Sequence, residues 1–100
     1  MEPAASALDI HLDTSHLEAA ARKAATQARA LVNRAVCDDQ ENALGVAAFQ
    51  LDSAAKFLTR GDTEKARDAL RAARSYAGCE EAAAPKLAAA ARTLLDNLPA

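Results

Sequence analysis

Asp9, His11, Asp13, His16 and Glu18 form the densest run of chemically versatile side chains in the sequence. Carboxylates beside imidazoles are the residue types of a carboxylate–imidazole metal site, so His11, His16 and Asp13 are the candidate metal ligands. His11 and His16 stand five apart and miss the i, i+4 spacing that sets two side chains on one helix face. The chain has no further His to act as general base or extra ligand. A solvated, charged N-terminal segment accounts for the same residues.

Cys37 and Cys79 are a second pair with chemistry. Each follows a helical stretch, and a disulfide between them would close a long loop if their Cα atoms came within about 7 Å. Two unlinked thiols at helix ends are the plainer reading, and with no C-x-x-C spacing a structural zinc site is disfavoured. Arg60, Arg67, Arg71 and Arg74 form a stripe whose planar guanidinium forks suit phosphate or carboxylate. Glu64 and Asp68 stand three residues before Arg67 and Arg71 and can pair with them. No Gly-rich phosphate loop, G-x-S-x-G elbow or H-E-x-x-H string occurs, and no E-x-x-H carboxylate pair supports a di-metal bundle. The sequence therefore implies a chain that is not an enzyme and needs no cofactor.

The elements that would position these residues are helical. Twenty-nine Ala and twelve Leu stand against three Val and one Ile, which is helix-forming composition with almost no strand formers. Ser15-His16-Leu17-Glu18 has capping-box form, and Leu17, Ala21, Ala24, Ala28, Leu31 and Ala35 continue from it as a heptad seam ending near Val36. Asp38-Asp39-Gln40-Glu41 opens a second helix to about Thr59, with the seam Leu44, Ala48, Leu51, Ala55 and Leu58. Arg60-Gly61-Asp62 reads as a stop followed by a cap. A third helix turns Ala66, Ala69, Leu70, Ala73, Tyr76 and Ala77 inward and breaks at Gly78-Cys79. A fourth starts by Pro85 and buries Leu87, Ala91, Leu94, Leu95 and Leu98. Short connections make neighbours antiparallel, so the expected fold is an all-α, up-down bundle of about four helices over residues 14–98. Residues 1–13, with Leu8, Ile10 and Leu12 alternating with polar side chains, read as an N-terminal arm laid on it.

Val46, Phe49 and Phe57 fall off the seam of the second helix, which is thus apolar on two faces. Either that helix is central and flanked on both sides, or it shows an apolar patch to a partner. Net charge by segment alternates: +3 for residues 14–36, −3 for 37–59, +2 for 60–77 and −1 for 78–100. That order favours sequential antiparallel pairing. With a total of −2 there is no global positive field for nucleic acid or anionic membrane, and the Arg stripe has no aromatic stacking platform beside it. No stretch approaches the ~18 uninterrupted apolar residues of a membrane span. Met1-Glu2-Pro3 does not begin a secretory leader, so a cytoplasmic location is expected.

From Leu44 to Leu98 the pattern resembles the FIMAH domain, a helical module of multidomain extracellular bacterial proteins, through Leu51, Ala54, Leu58, Gly61, Ala66 and Leu70. Gln50 departs from that pattern, which prefers Lys there, and Ala73 stands where it prefers an aromatic. Gly61-Asp62-Thr63-Glu64-Lys65-Ala66 is equally similar to the inter-helix turn of tetratricopeptide repeats, although no repeat of that length is visible. Neither resemblance implies catalytic residues. The function expected is a helical interaction or scaffold module, self-associating as a homodimer or docking a protein partner through Val46, Phe49 and Phe57, with Arg67, Arg71 and Arg74 steering charge. A small-ligand or metal-binding bundle is the alternative, and nucleic-acid binding by the Arg stripe comes after it.

Overall fold

In the computed structural model the backbone is described for residues 2–80 and 84–98, and the side chains for residues 16–80 and 84–98. Four helices follow one another: α1 (Glu2–Val32), α2 (Asp38–Thr59), α3 (Thr63–Cys79) and α4 (Pro85–Asp96). The described residues include no strand, so the chain is an all-α helical bundle. α2 lies between α1 and α3, and α4 rests on both α3 and α1, which closes the ring.

Local chemistry fixes the turns. α1 ends at Val32, earlier than its seam suggests, because Arg34 and Ala35 donate back to the carbonyls of Leu31 and Val32 in i, i+3 turns. The Val36 amide then donates to the Gln40 side-chain oxygen at 3.0 Å, which ties the loop to the first turn of α2. Asp38, Asp39 and Glu41 occupy that turn, where unpaired amides and the helix dipole favour carboxylates. The end of α2 is a full Schellman motif. Gly61, with φ 76°, donates to Leu58 at 3.1 Å, and Asp62 donates to Phe57 at 2.8 Å. Asp62 also caps α3, its Oδ1 accepting from the Lys65 amide at 3.1 Å. One Gly-Asp pair therefore stops one helix and starts the next. Pro85 takes the first helical position of α4, where its missing N–H costs nothing.

The core follows the expected seams. Leu17, Ala21, Ala24 and Ala28 of α1 meet Leu44, Ala48, Leu51, Ala55 and Leu58 of α2, all buried, while Leu31 is half-buried against them. Ala43, Ala47 and Ala54 widen the buried face of α2, as a helix with a neighbour on each side requires. Ala66, Ala69, Leu70, Ala73 and Ala77 of α3 and Leu87, Ala88, Ala91 and Leu94 of α4 complete it. Besides the early end of α1, other details differ from the sequence reading, and Leu95 and Leu98 of the fourth seam are half-buried against the core, not buried in it. α1 starts at Glu2, so Ser15 lies within a helix and does not begin one. Gly78-Cys79 forms the last turn of α3 and does not interrupt it. Tyr76 is 43% exposed, sitting at the rim of the Ala-lined seam.

Candidate docking surface on helix α2

Twenty-two residues of α2 turn by 100° each, so Phe49 points almost straight away from Leu58 and the buried face. Phe49 is accordingly 67% exposed. Beside it are two shallow, adjoining grooves at the outer seam of α1 and α2. One is lined by Val32, Glu41, Asn42, Gly45, Val46 and Phe49. The other is lined by Arg29, Val32, Asn33, Gly45, Ala48, Phe49 and Asp52. Gly45 is common to both because it has no side chain to fill the space between Phe49 and α1. A Cβ built there would meet nothing within 4 Å. Arg29 forms an ion pair with Asp52 across the second groove, fixing α1 to α2 beside the ring. Val32 and Val46 are half-buried walls.

Phe57 lies elsewhere on α2. It is half-buried against the core, in a groove shared with Gln50, Lys65, Asp68, Ala69 and Ala72 at the seam with α3. Lys65 Nζ sits 5.9 Å from its ring centroid, within cation–π range. The second apolar face of α2 is therefore divided. Phe57 seals the α2–α3 seam, Val46 is half-buried, and Phe49 faces outward.

Arg71 lies on α3 opposite its buried Ala66, Ala69 and Ala73, with Arg67 and Arg74 on the flank away from the Phe57 groove; Arg67 is half-buried and the other two are exposed. The grooves at Phe49 include none of them. Cys37 and Cys79 are free, exposed thiols, at the start of α2 and the end of α3 and so at the same pole of the bundle. Of the metal candidates, the side chains of His11 and Asp13 lie outside the described residues. His16 is exposed and borders a groove of about 420 Å³ between α1 and α4, with Leu17, Ala20, Ala90, Thr93, Leu94 and Asn97. No group of three or more His, Cys, Asp or Glu side chains placed to hold a metal occurs among the described residues, and none of their polar side chains is buried.

The sequence reading singled out Val46 and Phe49 but passed over Gly45, Val32 and the Arg29–Asp52 pair. A signal for Gly45 was present, because an isolated Gly inside a helical pattern lowers helix stability and asks for a reason. Val32 and Arg29 carry none, since only the pairing of α1 with α2 brings them to the ring. Fold and surface together define an antiparallel all-α bundle in which Phe49, the most exposed ring of the described residues, stands beside a side-chain-free notch. No family model, no curated protein and no solved structure matches the chain. Among the described residues no helix is long and apolar enough to cross a membrane.

Proposed function

We propose that the protein is a non-enzymatic helical interaction module that docks a protein partner through the outer face of α2. One observation carries this reading: Phe49, 67% exposed, stands opposite the core and beside the Gly45 notch, where a polar side chain would serve the isolated bundle better. A ring in contact with water gives up the ~1.5–3 kcal/mol that full burial of a large apolar side chain returns, and docking recovers it. Arg67, Arg71 and Arg74 supply positive charge on the neighbouring helix to steer an acidic approach.

The test is site-specific photocrosslinking in the source cell, with a benzophenone side chain in place of Phe49, Asn42 or Lys56 on the docking face and of Arg71 on α3. Discrete adducts from the three α2 positions and none from the α3 position are expected. No adduct from position 49, or the same adducts from position 71, overturns the reading.

A second reading, small-ligand binding, is favoured by the α1–α4 groove, whose volume of about 420 Å³ and apolar walls with His16, Thr93 and Asn97 at its edge suit a small molecule. Native mass spectrometry of protein purified from the source cell tests it, since a bound species adds mass; a bare chain mass overturns it.

A further inference from the structure

We infer that the occupant of the Phe49 face is a second copy of this chain, held by an antiparallel α2–α2 pairing about a two-fold axis that crosses the outer face level with Ala47. The inference rests on the docking reading above and names its partner.

The outer face of α2 is itself a seam. Asp38, Asn42, Gly45, Phe49, Asp52 and Lys56 follow one another by steps of four, three, four, three and four, the heptad spacing that keeps one stripe toward a partner helix. A two-fold axis makes every contact reciprocal, so residue i meets j while j meets i. With the axis level with Ala47, Phe49 of one copy faces Gly45 of the other, Asn42 faces Asp52, and Asp38 faces Lys56. Each pair is complementary. A ring meets a notch, an amide donor meets a carboxylate whose charge Arg29 already balances, and an acid meets a base. Each forms twice.

Gly45 gives the strongest reason. Its backbone does not require glycine, since the sole positive-φ glycine among the described residues is Gly61. The fold does not require it either, because a Cβ would enter open space. A glycine in a helix interior is destabilising without some such use. Close approach of another helix is that use, and Phe49, one turn along the same stripe, is the side chain sized for the notch.

Charge selects the direction. Asp38, Asp39 and Glu41 stand at the N-terminal end of α2, with Lys56 at its other end and Arg60 just beyond. An antiparallel pair sets the acidic end of each copy beside the basic end of the other and opposes the two helix dipoles. A parallel pair would set acid against acid. α2 thus carries its own complement, which an unrelated partner need not. The apolar part of the seam is short, Phe49 with Val46 and Val32 beside it, so the pair belongs at the weak end of protein interfaces. It forms and separates with concentration, and the monomer core stays closed throughout.

Sedimentation equilibrium of the full chain tests this. The mass is expected to rise from 10.4 kDa toward twice that value with concentration. Phe49→Ser stays monomeric with an unchanged helical circular-dichroism spectrum. Asp38→Lys and Lys56→Glu each weaken pairing roughly tenfold, since two attractions become two repulsions. An equimolar mixture of these two variants pairs as the original chain does, because in the mixed dimer every introduced charge meets an opposite one. Circular dichroism of each variant verifies that the bundle is folded. A wild-type chain monomeric to about 1 mM, or a mixture no better than its components, overturns the inference. Crosslinks from position 49 to a different protein, with the purified chain monomeric, would sink self-pairing and leave the docking reading standing. Absence of both would remove both.

Discussion

Gly45→Ala is expected to stabilise the isolated chain while weakening its pairing. Ala is favoured over Gly in a helix interior by roughly 0.5–1 kcal/mol. Nothing in the structure offsets that gain, because the added methyl meets no atom within 4 Å and Gly45 is not in the left-handed region. For a domain of this length 1 kcal/mol moves the melting temperature by about 4–8 °C, so a rise of roughly 2–8 °C is expected. The assay is thermal denaturation followed by far-ultraviolet circular dichroism, at a concentration dilute enough to hold the chain monomeric. A urea titration should show a higher midpoint at unchanged slope. Gly61→Ala is the matched control. Its surroundings are equally empty, but its φ of 76° is costly for any residue with a Cβ, so it should lose about 1 kcal/mol or more. The two substitutions add the same methyl to the same kind of empty space and differ in backbone conformation alone. A fall in melting temperature for Gly45→Ala, or a rise for Gly61→Ala, would refute the reasoning.

Three further outcomes are expected. Leu51→Ala removes one of the few large side chains that are fully buried; the cost of about 2–5 kcal/mol is a large share of a small domain's stability, and equilibrium urea unfolding should show a correspondingly early midpoint. Asp62→Ala leaves the Lys65 amide without the carboxylate oxygen now 3.1 Å away, costing about 1 kcal/mol and lowering the melting temperature by about 4–8 °C, whereas Asp62→Asn, which can still accept, should lose less. Cys37 and Cys79, both free and exposed, should react with a thiol reagent in the native state at a stoichiometry of two per chain; a thiol that reacts only after denaturation would contradict their placement.

The seams were legible because burial here is almost purely periodic. Leu17 to Ala28, Leu44 to Leu58, Ala66 to Ala77 and Leu87 to Leu94 recur at helical spacing, so the pattern carries the fold. The α2–α3 turn was legible for a different reason, since φ 76° at Gly61 favours Gly over residues with a Cβ and Asp62 is a strong cap. The end of α1 was not. Leu31 and Ala35 continue its seam past Val32, and the helix stops because Arg34 and Ala35 turn back and Gln40 holds the Val36 amide, none of which periodicity encodes. Tyr76 sits at the edge of an inward arc, where a few tens of degrees decide between core and rim. At the candidate surface, Phe49 was visible as an apolar residue off the seam. The grooves beside it depend on Val32 and Arg29 arriving from α1, and so on tertiary structure.

The aromatic residues show why the outward ring calls for an explanation of its own. The core of the described residues is Ala and Leu throughout, and helices whose facing side chains are mostly methyl groups approach closely. Among the described residues no aromatic side chain is buried. Size exclusion thus accounts for Phe57 and Tyr76, which lie on the arcs flanking the buried faces and shield the seams as they do so; Phe57 is half-buried and covered by Lys65. It does not account for Phe49. That position borders the α1–α2 grooves yet is 67% exposed, and it could hold Lys, Glu or Gln with better helix propensity and no apolar surface in water. A ring excluded from the core belongs at the rim. A ring near the outermost line of the helix, one turn from a glycine that the fold does not need, is the feature on which the proposed docking rests.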